Sequence, residues 1–200
     1  MATLVKKIPF NWKQRSALEG RGFHVDIGAF STPIRGGGAG DVLDQDRPEG
    51  CISVPTGTTI LPLRITAQCL LPLVATDNDE AEILVAVDIL AVNVPHATAP
   101  TSETALKMFM GVGTSLCTCT SAHTANSTMP TLGMELARAH TNAEIVSGVN
   151  TFWNRLELLY APKVLPVLVG PCALYLYWGG TVATYGFAQV EWLEFLTTDL

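Results

Sequence analysis

The chain has 200 residues, of which 48% are hydrophobic and only 15% are charged, and its formal net charge is -6. This composition excludes an intrinsically disordered chain, which needs low hydrophobicity and high charge. It is also unusual for a free monomer, because soluble domains carry about 25% charged residues, which keep them dispersed. Two explanations remain: apolar surface is buried in a membrane, or it is buried against other copies of the chain.

Two stretches without Asp, Glu, Lys or Arg, residues 108–134 and 164–190, test the membrane explanation. Each exceeds the roughly 20 residues that a spanning helix needs. The first is rich in Thr, Ser and Gly, and the second is interrupted by Pro166, Gly170 and Pro171, which break helices. We therefore expect no membrane span, and we expect both stretches to lie in a β core and at subunit contacts.

The five cysteines are an odd number without scaffold-like spacing, and no apolar segment of a signal peptide follows the first lysines. These features predict reduced thiols and synthesis in a cytosol.

The N-terminal segment carries a local excess of positive charge, with Glu19 as the only acid in the first 21 residues. Such an arm on an acidic body is suited to binding a polyanion or a neighbouring subunit, and a merely solvated segment is the alternative. Its cations are Lys6, Lys7, Lys13, Arg15 and Arg21.

Strand patterns dominate the first part of the chain. Alternation predicts a strand over residues 23–30, and the glycine run at 36–40 predicts a loop. A strand over 58–70 contains Pro62, which marks an edge position or a bulge. Residues 81–94 are apolar on both faces, which is typical of a strand in the middle of a sheet between two layers, or at a subunit contact. Short apolar runs predict three more strands, over 51–54, 106–110 and 115–120.

Helical periodicity occurs once, over residues 134–147, with Leu136, Ala139, Ala143 and Val146 on one face. Three clear strand patterns follow, and a hairpin loop over 179–184 connects the last two. These strands cover residues 152–160, 172–178 and 185–195.

Eight or nine strands with Pro- and Gly-rich connections predict an all-β fold, an antiparallel eight-stranded jelly-roll β-sandwich with an extended N-terminal arm. We assign residues 1–22 to the basic arm and residues 23–200 to one sandwich domain.

No catalytic motif is present, so we expect no enzyme activity and no cofactor. A cupin-like metal enzyme needs clustered histidines, and the chain has no His-x-His pair. Cys117 and Cys119 with His123 resemble part of a zinc site, but the spacing is wrong, and buried small side chains are the favoured interpretation. Acidic loop residues are weak calcium candidates without EF-hand spacing. These are Asp41, Asp44, Asp46, Asp77 and Asp79.

Aromatic residues concentrate near the C-terminus, where Tyr175, Tyr177 and Phe187 alternate with small and aliphatic residues. A stacking platform for sugars or bases is one interpretation. Core strands are the favoured one, because aromatic side chains bury large areas.

The layout of the chain from about Phe23 onward resembles the single jelly-roll capsid and virion-surface proteins of viruses, including uncultured phages. The resemblance lies in the order of arm, strand, glycine loop, the segment 48–65 and the closing segments 166–177 and 188–195. It implies a coat subunit that self-assembles, often through trimer or pentamer contacts, into an icosahedral shell around a viral genome. It also implies a virion protein made in the host cytoplasm, with contacts to other virion proteins and to nucleic acid through the arm.

Two alternatives share the same fold. The first is a decoration or head-fibre protein bound to a separate shell, which needs no genome-binding arm. The second is a lectin-like carbohydrate-binding module that uses exposed aromatic residues, with or without calcium at the acidic loops.

Overall fold

The computed structural model describes residues 11–37, 43–70, 79–89, 100–109, 113–123, 130–143, 155–180 and 184–199. Among these residues, helix is confined to three short segments, α1 (Trp12–Ser16), a π-helical turn (Ala17–Arg21) and a 3-10 turn (Thr197–Asp199). No described helix has the length and hydropathy that crossing a membrane requires. The strands are β1 (Gly22–Ile27), β2 (Ile34–Arg35), β3 (Gly50–Val54), β4 (Thr58–Leu70), β5 (Asp79–Asp88), β6 (Thr101–Glu103), β7 (Leu106–Lys107), β8 (Thr118–Ser121), β9 (Leu132–Ala143), β10 (Arg155–Tyr160), β11 (Leu168–Val169), β12 (Cys172–Gly180) and β13 (Tyr185–Leu196).

Two antiparallel sheets form a sandwich, which confirms the predicted β-sandwich character. The seven-stranded sheet has the order β10-β4-β13-β1-β7, with β11 also on β4 and β2 also on β13. The six-stranded sheet has the order β6-β8-β3-β12-β5-β9. The strands β6, β7 and β8 all come from the long connection between β5 and β9, so this connection extends both sheets on the same side.

The predicted strand over 58–70 coincides with β4, which lies inside the sheet rather than at its edge. Its register with β13 shifts where Glu191 and Trp192 face Arg64 and Pro62. Of the two predicted roles for Pro62, the structure therefore has the bulge, which accommodates the missing N–H of proline.

The predicted helix over 134–147 is wrong, because β9 covers residues 132–143 as a strand paired with β5. Two register shifts along this pair leave Gly133 and Leu136 without a partner. Each bulge moves the following side chains to the other face, so the alternation is broken and imitates a helical period. Residues 144–147 lie outside the described residues.

The inner faces of the two sheets enclose the main core, in which Trp178 and Trp192 are the largest fully buried side chains. The Trp178 indole N–H donates to the Ile34 carbonyl at 3.1 Å. Gly36 and Gly186 make room for this residue, since a Cβ on Gly36 would lie 2.2 Å from the Trp178 carbonyl oxygen. A Cβ on Gly186 would lie 3.0 Å from the indole ring.

A second apolar cluster lies on the outer face of the six-stranded sheet. Here β5 and β12 bury side chains on both of their faces, as predicted for a strand in the middle of a sheet. Residues 90–94 of the predicted strand lie outside the described residues. The buried members of this outer cluster are Leu43, Cys51, Leu84, Ala86, Ala173, Tyr175 and Tyr177.

Residues 1–10 of the predicted extended N-terminal arm lie outside the described residues, and residues 12–21 are helical. Asn11 and Gln14 form a reciprocal capping box that satisfies the first backbone N–H groups of α1. The π-helical turn contacts β1 and β13, and Arg21 lies 5.0 Å from the ring of Phe195. Arg21 also pairs with Asp199 at 3.3 Å, so this segment is fastened to the sandwich.

Candidate functional site

Exposed aliphatic side chains collect along one edge of the seven-stranded sheet. Both β10 and β11 pair with β4 on this edge, one after the other. Alternation turns Leu158 and Leu168 into the core and leaves their neighbours Leu159 and Val169 facing solvent. We call this surface the edge patch, and it consists of Leu159 (67% exposed), Val164 (86%), Val167 (59%) and Val169 (50%).

The charges around the edge patch are few and largely neutralised. Arg155 and Glu157 on β10 form an ion pair with each other, and Lys163 is exposed on the connection to β11. Fully burying a Val or Leu side chain stabilises a structure by about 1.5–3 kcal/mol. The edge patch therefore leaves four aliphatic side chains at least half exposed to water.

The opposite edge of the same sheet, at β7, is also apolar. Leu106, Met108 and Phe109 are all exposed there. Both edges of the seven-stranded sheet therefore carry exposed apolar side chains.

Buried glutamates fasten the long connections to the sandwich. Glu49, at the end of the β2–β3 connection, accepts the backbone N–H groups of Gly37 and Trp178, one on each carboxylate oxygen and both at 2.8 Å. Burial raises the pKa of Glu49 well above its ordinary value, although these two hydrogen bonds oppose the shift. The carboxyl therefore joins the β2–β3 connection to β12, and its burial disfavours the charged form.

Glu194 on β13 fastens the β5–β9 connection in the same way. Its carboxylate accepts hydrogen bonds from the Ser115 hydroxyl at 2.6 Å and from the Leu116 backbone N–H at 2.8 Å. The indole N–H of Trp192 is 3.4 Å away. Glu103 accepts a hydrogen bond from Ser121 further along this connection. Loops held by buried hydrogen bonds present a defined surface to a partner.

The raised pKa of Glu49 predicts a pH dependence of stability. The folded state binds this proton more tightly than the unfolded chain, whose pKa is 4.5. The resulting stabilisation is complete below that value and is lost as the pH rises through the folded pKa. We expect the free energy of unfolding to fall as the pH rises above the unfolded value of 4.5, and the Glu49→Gln variant to lose that fall.

Urea unfolding at several pH values measures this dependence. Glu135→Gln is the control, because Arg138 holds the pKa of the exposed Glu135 below its ordinary value and its effect lies at lower pH. A free energy that rises over this pH range, or an unaltered slope in Glu49→Gln, contradicts the assignment.

The three predicted arm cations that lie among the described residues have different surroundings. Arg15 is exposed on α1, and Lys13 lies 5.9 Å from the ring of Trp12. Arg21 pairs with Glu19 and Asp199, so its charge is neutralised locally. Lys6 and Lys7 lie outside the described residues.

The calcium candidates do not converge among the described residues. Asp44 pairs with Arg47 at 3.2 Å and accepts the backbone N–H of Asp46. Asp41 and Asp77 lie outside the described residues, and Asp79 is described as backbone only. No group of three metal-ligating side chains occurs in the described part of the chain.

All five cysteines are buried and carry free thiols. Burial is the main cause that raises the pKa of each thiol, to about 11 for Cys172 and about 12 for Cys69 and Cys119. His123 hydrogen-bonds Thr120. Protonated, inaccessible thiols are poor nucleophiles and poor ligands, which fits a packing role.

The aromatic residues near the C-terminus differ in burial, although core positions were predicted for all three. Tyr175 and Tyr177 are fully buried, in the cluster on the outer face of the six-stranded sheet. Phe187 is only half-buried and faces outward on the seven-stranded sheet, as does Tyr185.

The sequence and the fold were compared with known proteins, and no match was found. No protein-family model matches the sequence, and no curated protein or solved structure is significantly similar to it.

Proposed function

We propose that this chain is a structural virion protein, a coat subunit that self-assembles through the edges of a jelly-roll sandwich into a shell around a viral genome. The edge patch is the observation that carries the proposal, because it is an apolar surface on a chain with few charges. Obligate subunit interfaces are apolar and resemble a domain core cut in half. The chain would be made in the host cytoplasm and act in the virion.

The pairing of the eight principal strands supports the jelly roll. In chain order these strands are β1, β3, β4, β5, β9, β10, β12 and β13. The first pairs with the eighth, the second with the seventh, the third with the sixth and the fourth with the fifth. A long antiparallel ribbon that is folded in half has this nested order, and rolling it up joins β13 to β4 and β12 to β5.

The remaining strands fit a subunit that meets neighbours at its sides. The β5–β9 connection adds β7 beside β1 and adds β8 and β6 beside β3, so it widens both sheets on one side. On the other side, β9 is blunted by its two bulges and by the ion pairs of Arg138 with Glu82 and Glu135. Such features discourage uncontrolled strand addition, and they favour side-chain contacts through the edge patch.

The cationic segment supports contact with nucleic acid in this proposal. Lys13 and Arg15 carry charge on the short helix beside the sheet, and Lys6 and Lys7 precede it. Phosphate contacts of lysine and arginine supply sequence-independent affinity that weakens with salt. A decoration protein on a separate shell is the second candidate, and it needs the edge patch but no such segment.

The proposal is tested on the full chain expressed alone and with nucleic acid. Size-exclusion chromatography with light scattering and negative-stain microscopy should show rings or closed particles rather than 21.4 kDa monomers. Removal of residues 1–10, which leaves the capping residue Asn11 and the fastened turn at Ala17–Arg21 intact, should reduce the nucleic acid recovered in particles. A persistent monomer at all concentrations contradicts self-assembly, and unchanged nucleic-acid content contradicts the role of the segment.

A further inference from the structure

A row of aligned side chains crosses the outer face of the seven-stranded sheet, at the end opposite the N-terminal helix. The register places Arg35, Tyr185, Leu70 and Arg155 side by side on four neighbouring strands. Directly opposed residues in antiparallel sheets point to the same face with Cβ atoms about 5 Å apart. The next row holds Phe187, Gln68 and Glu157.

Phe30 extends this surface from the turn that follows β1. Its ring is 78% exposed and contacts Phe187 edge-on, with centroids 6.4 Å apart and an interplanar angle of 85°. The turn is closed by paired backbone hydrogen bonds between Ala29 and Thr32, at 3.2 and 3.0 Å. We call Phe30, Tyr185 and Phe187 the aromatic patch, and its first ring is held in place although it lies in water.

The polar groups around the aromatic patch determine which ligand it fits. Arg155 is neutralised by Glu157, whereas Arg35 is exposed and forms no ion pair among the residues that the structure describes. Gln189 donates to Asp26 at 2.9 Å in the row beyond Phe187. The face therefore combines exposed rings, amide and carboxylate groups, and one unpaired guanidinium.

We propose that this surface binds a glycan that carries an acidic sugar. The weakly polar C–H face of a pyranose would stack on Phe30 and Tyr185, because the negative face of an aromatic ring attracts such groups. Gln68 and its neighbours offer donors and acceptors to sugar hydroxyl groups. The sugar carboxylate would accept two parallel hydrogen bonds from the planar guanidinium of Arg35, whose geometry matches a carboxylate.

A polyanion fits this face less well. Single-stranded nucleic acid is bound along grooves that carry several unpaired cations, and its affinity depends on the number of phosphates neutralised. Here one of the two arginines is already paired within the protein. The aromatic patch shares no residue with the edge patch, and Arg155 and Glu157 on β10 lie beside both surfaces.

The test measures binding of the full chain to a glycan array, followed by titration of a hexuronic or sialic acid oligosaccharide and its neutral counterpart. We expect Phe30→Ala and Tyr185→Ala each to weaken binding of both oligosaccharides at least tenfold. Arg35→Gln should weaken binding of the acidic oligosaccharide alone. Trp12→Ala is the matched control, because Trp12 is an exposed aromatic residue beside a lysine at the other end of the sheet.

Three results would overturn the inference while leaving the coat proposal intact. They are the absence of binding to any acidic glycan, equal weakening by Trp12→Ala, and binding of single-stranded DNA that depends on Phe30 in place of glycan binding. Circular dichroism and thermal unfolding of each variant establish that it is folded before binding is compared.

Discussion

A Trp178→Ala variant is expected to lose about 3–5 kcal/mol of its free energy of unfolding, because removing a buried tryptophan leaves a large cavity. The side chain is 1% exposed in the main core, and its N–H would no longer satisfy the Ile34 carbonyl at 3.1 Å. A domain of this size has about 5–15 kcal/mol of stability in total, so the loss is a large fraction. Urea unfolding followed by tryptophan fluorescence and circular dichroism measures it.

Trp12→Ala provides the comparison, because it removes the same side chain from an exposed position. Its effect should stay within about 0.5 kcal/mol, as is usual for surface substitutions. A loss below about 1 kcal/mol in Trp178→Ala would show that Trp178 is not packed between the sheets as described.

The double substitution Val167→Asp and Val169→Asp is expected to abolish self-assembly while the subunit remains folded. Both side chains are at least half exposed, so the isolated fold tolerates the change. Burying two unpaired carboxylates in an apolar contact costs several kcal/mol, and about 2.7 kcal/mol already weakens an association a hundredfold. Analytical ultracentrifugation across a concentration series measures the shift toward monomer.

The matched control places two aspartates in the exposed turn between β1 and β2, as Ser31→Asp and Thr32→Asp. It adds the same charge away from both apolar edges, and assembly should persist. Loss of assembly in the control as well would show that added charge alone, rather than the edge patch, disrupts the contact.

Alternation and short apolar runs were sufficient to predict most principal strands, because at least one face of each strand meets the core. Alternation succeeded over β4, where only the bulge at Pro62 interrupts the pattern. It failed over β9, where the bulges at Gly133 and Leu136 each change which side chains point toward the core. The apolar residues of β9 are therefore spaced as they would be in a helix. Local periodicity carries no signal of a bulge, since a bulge is defined by the partner strand.

The candidate surfaces were less predictable than the strands. The uncharged stretch 164–190 was expected to supply both core and contact residues, and it contains β12 in the core and Val164, Val167 and Val169 at the surface. Which side of each short strand faces water depends on pairing with β4 and is not local information. The roles of Glu49 and Glu194 depend on donors more than ten residues away along the chain.

The outer cluster on the six-stranded sheet, which includes Leu43, makes the two broad sides of the subunit different. One sheet is covered on both faces over its centre, so the strands there have no open broad side to offer. The other sheet leaves its outer surface open between two apolar edges. The two broad sides of such a subunit are not equivalent. Neighbouring subunits can contact its edges while the outer face of the seven-stranded sheet stays available to a ligand. Every copy in a ring would then present that side the same way, and weak single-site binding would be strengthened by avidity.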